Sequence, residues 1–254
     1  MRKVSTMFLL FVSAVIFSGC TKTYKTVEDY DTTMKTVRSK IPAYTIEAKQ
    51  ELPGASLYYK SYVKGNKWKT EMSLNGGNSY LSTILYDGTD LLSYTLGSPY
   101  AMKNPALDVI RKDMDEESLR SVIDMQNPTS ALFTWHDGYP IMAALPADAE
   151  PKAEFENQKA NVNGFDCRMI KFGTDREACV SDKYGIAVYH KLKLQEPKAG
   201  QDEISINLVK VDTSDIPDTT FELPAGVKKA DMNTMLQKIS NNLENMSSKF
   251  NTNY

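Results

Sequence analysis

Apolar and polar positions along this chain follow two periods in turn. Val27, Tyr30, Met34, Val37 and Ile41 recur at helical spacing and predict a helix over about 27–39, stopped by Pro42. From Tyr44 the period falls to two. Strands are predicted over 44–52, 56–64 and 67–74, with Pro53-Gly54 and Gly65-Asn66 as the turns between them. Within 67–74, Trp68, Thr70, Met72 and Leu74 share one face while Lys67, Lys69, Glu71 and Ser73 share the other. That alternation belongs to a sheet with one covered and one wet face. Asn75-Gly-Gly-Asn78 leads into a strand over 79–86, and Asp87-Gly88 is a hairpin signal before a strand over 90–96, so the first block is an antiparallel meander.

Between Pro99 and Pro146 the period becomes helical, which marks an insertion between two blocks of sheet. Leu107, Ile110 and Met114 form a stripe behind Asn104-Pro105, a cap followed by proline in the first turn. Asp115-Glu-Glu117 opens a second stripe of Leu119, Val122 and Ile123, and 131–135 is read as a third short helix. Strands resume at about 153–161. Ile186, Val188, His190, Leu192 and Leu194 then alternate strictly with Ala187, Tyr189, Lys191, Lys193 and Gln195, and 203–211 makes a last strand. Residues 229–254 form a C-terminal tail, whose Met232, Met235, Leu236, Ile239, Leu243, Met246 and Phe250 fit an amphipathic helix. No internal repeat or low-complexity tract stands out.

The first residues change the picture of where this domain works. Met1-Arg-Lys3 is basic, and the apolar run from Val4 to Phe17 is about 14 residues, shorter than the roughly 20 a spanning helix needs. Residues 1–19 therefore read as an export signal. Phe17-Ser-Gly-Cys20 resembles the lipobox of bacterial lipoproteins, with Phe where leucine is usual; the resemblance implies cleavage before Cys20 and lipidation of that cysteine. Residues 20–26 would be the lipidated tether. Two or more acyl chains on Cys20 suffice for stable membrane anchoring. Thr21 resembles a sorting residue that permits transfer to an outer membrane where the host has one. The expected location is the cell envelope, facing the periplasm or the exterior.

With Cys20 assigned to lipid, Cys167 and Cys179 are the only remaining cysteines, and export makes a disulfide their expected state. Two strands around a turn near Gly173 would bring them across from each other. A metal pair would need further ligands nearby, and a redox pair would need closer spacing. The formal charge of −2, without basic runs, gives no electrostatic reason to bind nucleic acid. The only histidines are His136 and His190, and neither sits in a nucleophile or zinc motif. No catalytic residue, metal or cofactor is expected, and the chain reads as a monomer that is not an enzyme.

The order helix, five strands, helical insertion and roughly five more strands resembles the LolA/LolB-like superfamily of lipoprotein carriers. Three phrases carry the likeness: Tyr62-Val-Lys-Gly-Asn-Lys-Trp-Lys-Thr-Glu-Met72, Tyr86-Asp-Gly-Thr-Asp-Leu-Leu-Ser-Tyr94 and Ile216-Pro-Asp-Thr-Thr-Phe-Glu-Leu-Pro-Ala-Gly226. The resemblance covers about residues 27–228. It implies a mainly β (α+β) fold: a curved antiparallel sheet or incomplete barrel, an N-terminal helix, and an inserted helical lid over 99–146. Such a fold encloses an apolar cavity for lipid or the acyl chain of a lipoprotein. The candidate lining is Leu57, Tyr59, Trp68, Met72, Ile84, Leu92 and Tyr94 from strands, with Leu107, Ile110, Leu119 and Phe133 from the lid. The same side chains would equally fill a solid core. An envelope scaffold or sensor, binding a protein partner through the sheet face or the C-terminal helix, fits the same fold.

Overall fold

The computed structural model describes residues 24, 26–52, 54–76, 80–135, 153–198 and 201–231. Helix α1, Val27–Ser39, begins where the Thr26 hydroxyl accepts the Asp29 N–H at 3.1 Å, the N-cap that its first turn requires. Strands β1 (Ala43–Leu52), β2 (Ala55–Lys64), β3 (Lys67–Leu74), β4 (Ser82–Tyr86), β5 (Leu91–Thr95) and β6 (Tyr100–Lys103) follow as a meander. Three short helices come next: α2 (Pro105–Ile110), α3 (Glu116–Met125) and α4 (Ser130–Phe133). The second block is β7 (Ala153–Val162), β8 (Phe165–Phe172), β9 (Arg176–Val180), β10 (Ala187–Lys198) and β11 (Gln201–Asp212). A 3₁₀ turn, Asp218–Phe221, and β12 (Lys228–Ala230) close the described chain.

All twelve strands join one curved, open sheet in the order β12-β6-β5-β4-β3-β2-β1-β11-β10-β9-β8-β7. The two meanders fuse where β1 pairs antiparallel with β11, and β12 and β7 are the outermost strands. Every pairing among the described residues is antiparallel except β12 with β6. The fold is mainly β and not a closed barrel.

Two regions depart from the sequence reading. Residues 100–103, expected within the helical insertion, are strand β6; four residues are too few for a period, and pairing with β5 decides their conformation. The start of the expected C-terminal tail is also strand: Lys228, Lys229 and Ala230 pair with Tyr100, Ala101 and Met102. Strand β12 thus straddles the expected boundary at 228/229, held by Lys229 Nζ at 2.7 Å from Asp87 and 2.8 Å from Asp90. The signal, Cys20, His136 and the amphipathic pattern after Asp231 lie outside the described residues.

Both faces of the sheet carry cover. Helices α1 and α4 lie on one face, where Tyr30, Met34, Ile46, Leu132, Trp135, Ile170, Val188 and Ile206 form the largest core. On that same face α2 and α3 cover Trp68, Tyr86 and Leu91 with Leu107 and Ile123. On the opposite face the segment after β11 crosses β3–β6 as a strap, burying Ile216 and Phe221 against Ala43, Leu85, Leu92 and Ala101. Lys64 Nζ donates to the Ile216 carbonyl at 2.6 Å and fixes the strap to β2.

Close approach explains one glycine. Gly185, at φ +69°, lies under α1, and a Cβ there would stand 2.5 Å from the Met34 carbonyl oxygen. Arg38 donates to the Gly185 carbonyl at 2.7 Å, Tyr44 to that of Tyr184 at 2.8 Å, and Tyr30 to that of Val180 at 3.0 Å. The helix is therefore riveted to the turn between β9 and β10.

Candidate functional site

The site is best built from the seam between the lid and the sheet. β2 and β3 place Ser61 opposite Thr70 on the lid side, with their hydroxyl oxygens 2.6 Å apart. Thr70 donates to Asn127 Oδ1 at 2.8 Å, and the same oxygen takes the Thr129 N–H and hydroxyl at 3.0 Å each. All four residues are buried. One amide oxygen thus pins the turn between α3 and α4 to the middle of the sheet, and each hydroxyl there has a partner, as burial demands.

Beside this pin lies a half-open cleft of about 450 Å³. Its apolar wall comes from the end of α1 and from β1–β3: Ile41, Pro42, Tyr44, Val63 and Trp68, with Phe133 of α4 facing them. Its polar wall is Arg38 of α1, Arg120 and Asp124 of α3, and Asn127, Ser130 and Thr134 beyond. The volume falls within the roughly 300–1,000 Å³ usual for ligand pockets. A second, more open groove of about 870 Å³ runs along the hairpin tips, between Asn66, Tyr86, Gly88 and Thr89 on one side and Arg111, Glu116, Glu117, Leu119 and Ile123 on the other. Gly65 and Arg120 line both.

Arg120 is the post between the two. Its Nε sits 2.7 Å from Asp124, one turn along the same helix; its Nη1 donates to the Asn66 carbonyl at 2.5 Å; its guanidinium lies 5.9 Å from the Tyr86 ring centre. Arg111 makes the matching tie to the Thr89 carbonyl. These two arginines fasten the lid to the tips of the β2–β3 and β4–β5 hairpins. Burial pushes the Asp124 carboxyl above its usual value, against the pull of Arg120 and of the Trp68 indole. Trp68 is 1% exposed, and its indole N–H is directed to the Asp124 carboxylate, one of the influences that hold that carboxyl down against burial.

The structure sorts the eleven candidate lining residues. Leu57, Tyr59, Met72 and Phe133 pack with the main core, and Trp68, Ile84, Leu107, Ile110 and Leu119 gather under α2 and α3. Leu92 and Tyr94 are on the opposite face, under the strap. A strand read one residue out of step presents its other face. In the pair Leu91-Leu92, Leu91 is the one toward the lid. Trp68 and Phe133 line the cleft and Leu119 lines the groove. Tyr59 is a core residue, 5% exposed, with its hydroxyl on Gln50 Oε1 at 2.5 Å and its pKa pushed up by burial to about 12. Val63 and Tyr44 were legible as cleft residues, since each continues the lid-side face of its strand. Arg120 and Asn127 carried no such signal.

Cys167 and Cys179 form a disulfide, Cα atoms 5.4 Å apart. They are diagonal rather than opposite: Met169 faces Cys179 across the β8–β9 pair. Next to them, Arg168 and Tyr30 both bind Asp182, at 3.0 and 2.7 Å, so the hairpin that the disulfide ties also anchors α1.

His190 points the other way. It is fully buried beneath α4, beside the Ala131 backbone, and burial with the nearby Arg176 lowers its pKa to about 3. Among the described residues, no three His, Cys, Asp or Glu side chains are grouped to hold a metal.

No protein-family model matches the chain, and no curated protein matches it. Solved structures do share parts of its shape. An uncharacterised conserved protein of Thermus thermophilus aligns over 79% of this chain and 98% of its own, with 6% identity and a TM-score of 0.48. MucB aligns over 78% of this chain at 10% identity and TM-score 0.43, the match spanning 64% of MucB; a MucA/MucB complex from Pseudomonas aeruginosa gives 9% and 0.42. The lipoprotein LppX of Mycobacterium tuberculosis aligns over 70% of this chain and 91% of its own, at 7% identity and TM-score 0.38. With TM-scores below 0.5, none of these likenesses says what this chain binds.

Proposed function

We propose that this chain is a membrane-anchored, non-catalytic binder of a hydrophobic ligand in the bacterial cell envelope. Lipid on Cys20 would hold it to the membrane, and the cleft between lid and sheet would hold the ligand. The observation that carries the reading is the cleft itself: an apolar wall of Tyr44, Val63, Trp68 and Phe133 left partly open beside the packed core under α1 and α4. Burying hydrocarbon there contributes roughly 0.8 kcal/mol per CH₂. The arginine ties to the Asn66 and Thr89 carbonyls supply a rim that opens without disturbing the core under α1 and α4.

A second reading has its own support. Opposite the lid, Tyr58, Lys60 and Tyr62 of β2 stand beside Lys49 and Lys69, with ammonium groups 5.5–5.7 Å from tyrosine ring centres. Such a polar aromatic face suits a protein partner on an envelope scaffold.

Native mass spectrometry of the full chain isolated from bacterial membranes, followed by extraction of what co-purifies, separates the two. The binder reading expects a lipid or fatty acid at near one per chain, lost when Val63 is replaced by Trp. A chain that stays empty after incubation with lipids contradicts it and favours the scaffold.

A further inference from the structure

Two features of the cleft are not needed for hydrocarbon alone. Arg120 lines it with Asp124 as the carboxylate at its side. Arg38 lines the far wall of the same cleft, so that two guanidinium groups meet a single carboxylate among its lining residues.

Size narrows the ligand further. At about 450 Å³ the cleft is at the small end of the usual range for ligand pockets, which suits one hydrocarbon chain better than the two or three of a diacyl lipid or a lipoprotein anchor.

Resting on the hydrophobic-binder reading, we infer that the cleft takes a single long-chain fatty acid, its chain along Tyr44, Val63, Trp68 and Phe133 and its carboxylate on Arg120. The guanidinium fork matches a carboxylate in two parallel hydrogen bonds, which an ammonium does not reproduce. Arg120 is reachable, since its side chain keeps 31% exposure, and Asp124 and the Asn66 carbonyl already orient it. Arg38, tied to the Gly185 carbonyl, adds charge from the far wall without leaving its place.

The test is equilibrium binding of radiolabelled palmitate and of hexadecanol to the full chain in phospholipid nanodiscs, with empty discs subtracted. One palmitate per chain is expected, bound about tenfold more tightly than hexadecanol, the factor that loss of a charged hydrogen bond supplies. Arg120→Gln should remove that preference and Arg120→Lys should restore part of it. Val63→Trp should abolish binding of both ligands. Equal binding of the two ligands, or an Arg120→Gln variant that still prefers palmitate, overturns the carboxylate assignment and leaves the hydrophobic reading standing. Binding of neither ligand overturns both. Undiminished binding by Val63→Trp puts the chain outside this cleft and overturns the proposal. Should Val63→Trp fail to fold, the two Arg120 variants, at a part-exposed position, still decide.

Discussion

The lid side of the sheet has two halves built on different terms. Under α1 and α4, over β1 and β8–β11, Tyr30, Met34, Ile46, Leu132, Trp135, Ile170, Val188 and Ile206 are all at 0–1% exposure. The hairpin beneath α1 carries a disulfide, and Tyr30 and Arg38 of α1 with Tyr44 of β1 donate three hydrogen bonds to carbonyls at the end of β9 and in the turn that follows it. Under α2 and α3, over β2–β5, the buried apolar cluster is Trp68, Tyr86, Leu91, Leu107 and Ile123, while Ile84, Ile110 and Leu119 remain half-exposed. The lid's outward Val109, Met114 and Met125 are exposed. One half is a core in the ordinary sense. The other is a cover with a groove at its rim, and the cleft proposed to hold the ligand lies where the two halves meet, between the end of α1 and α4 on one side and α3 on the other.

The largest effect that would sharpen this contrast is truncation on each side. Leu132→Ala should cost about 2–5 kcal/mol in a denaturant titration, because nothing around the buried site can collapse into the void. Leu119→Ala, half-exposed, should cost about 1 kcal/mol, the value for partial loss of leucine burial. Equal costs would erase the distinction. Next is the disulfide: replacing Cys167 and Cys179 together by Ser should cost about 2–4 kcal/mol and should speed hydrogen exchange in β8, β9 and α1 more than in α2 and α3.

A pH titration probes the solid half alone. The folded state keeps His190 neutral down to about pH 3, whereas the unfolded chain protonates it near 6.5. The stability it permits is whole above pH 6.5 and is lost as pH falls, at about 1.4 kcal/mol per unit. Between pH 6.5 and 5 the natural chain should therefore lose roughly 2 kcal/mol more than His190→Leu. Equal losses would mean that the imidazole is solvated in the fold. The smallest effect lies at the seam. Asn127→Ala should cost about 1–2 kcal/mol by leaving the buried Thr70 and Thr129 hydroxyls short of an acceptor. It should also loosen α2 and α3 while leaving α1 protected.

Much of this architecture was legible in the order of residues. The 3.6-residue stripe of 27–39 and the alternation of 67–74 each give an element whose period outlasts several turns or pleats. The cysteine pair follows from the export that the first residues lead one to expect and from a turn at Gly173. The strand over 100–103 was hidden in a segment too short to carry a period, and the Leu91-Leu92 pair left the facing of β5 undecided by one residue. The cleft was the least visible. Its apolar wall continues faces that the alternation already gives, but Arg120, Asp124 and Asn127 acquire their roles only where α3 meets the hairpin tips. Distances across 50 or more residues of chain set those contacts, and no local pattern encodes them.

Photolabelling addresses the central claim most directly. The full chain in its membrane, incubated with a fatty acid carrying a terminal diazirine, is irradiated, digested and mapped. The account expects one label per chain, on peptides that contain Val63, Trp68 or Phe133, and its suppression by excess palmitate. Label confined to the sheet face around Tyr58 and Tyr62, or no label that palmitate displaces, would contradict a ligand held between lid and sheet.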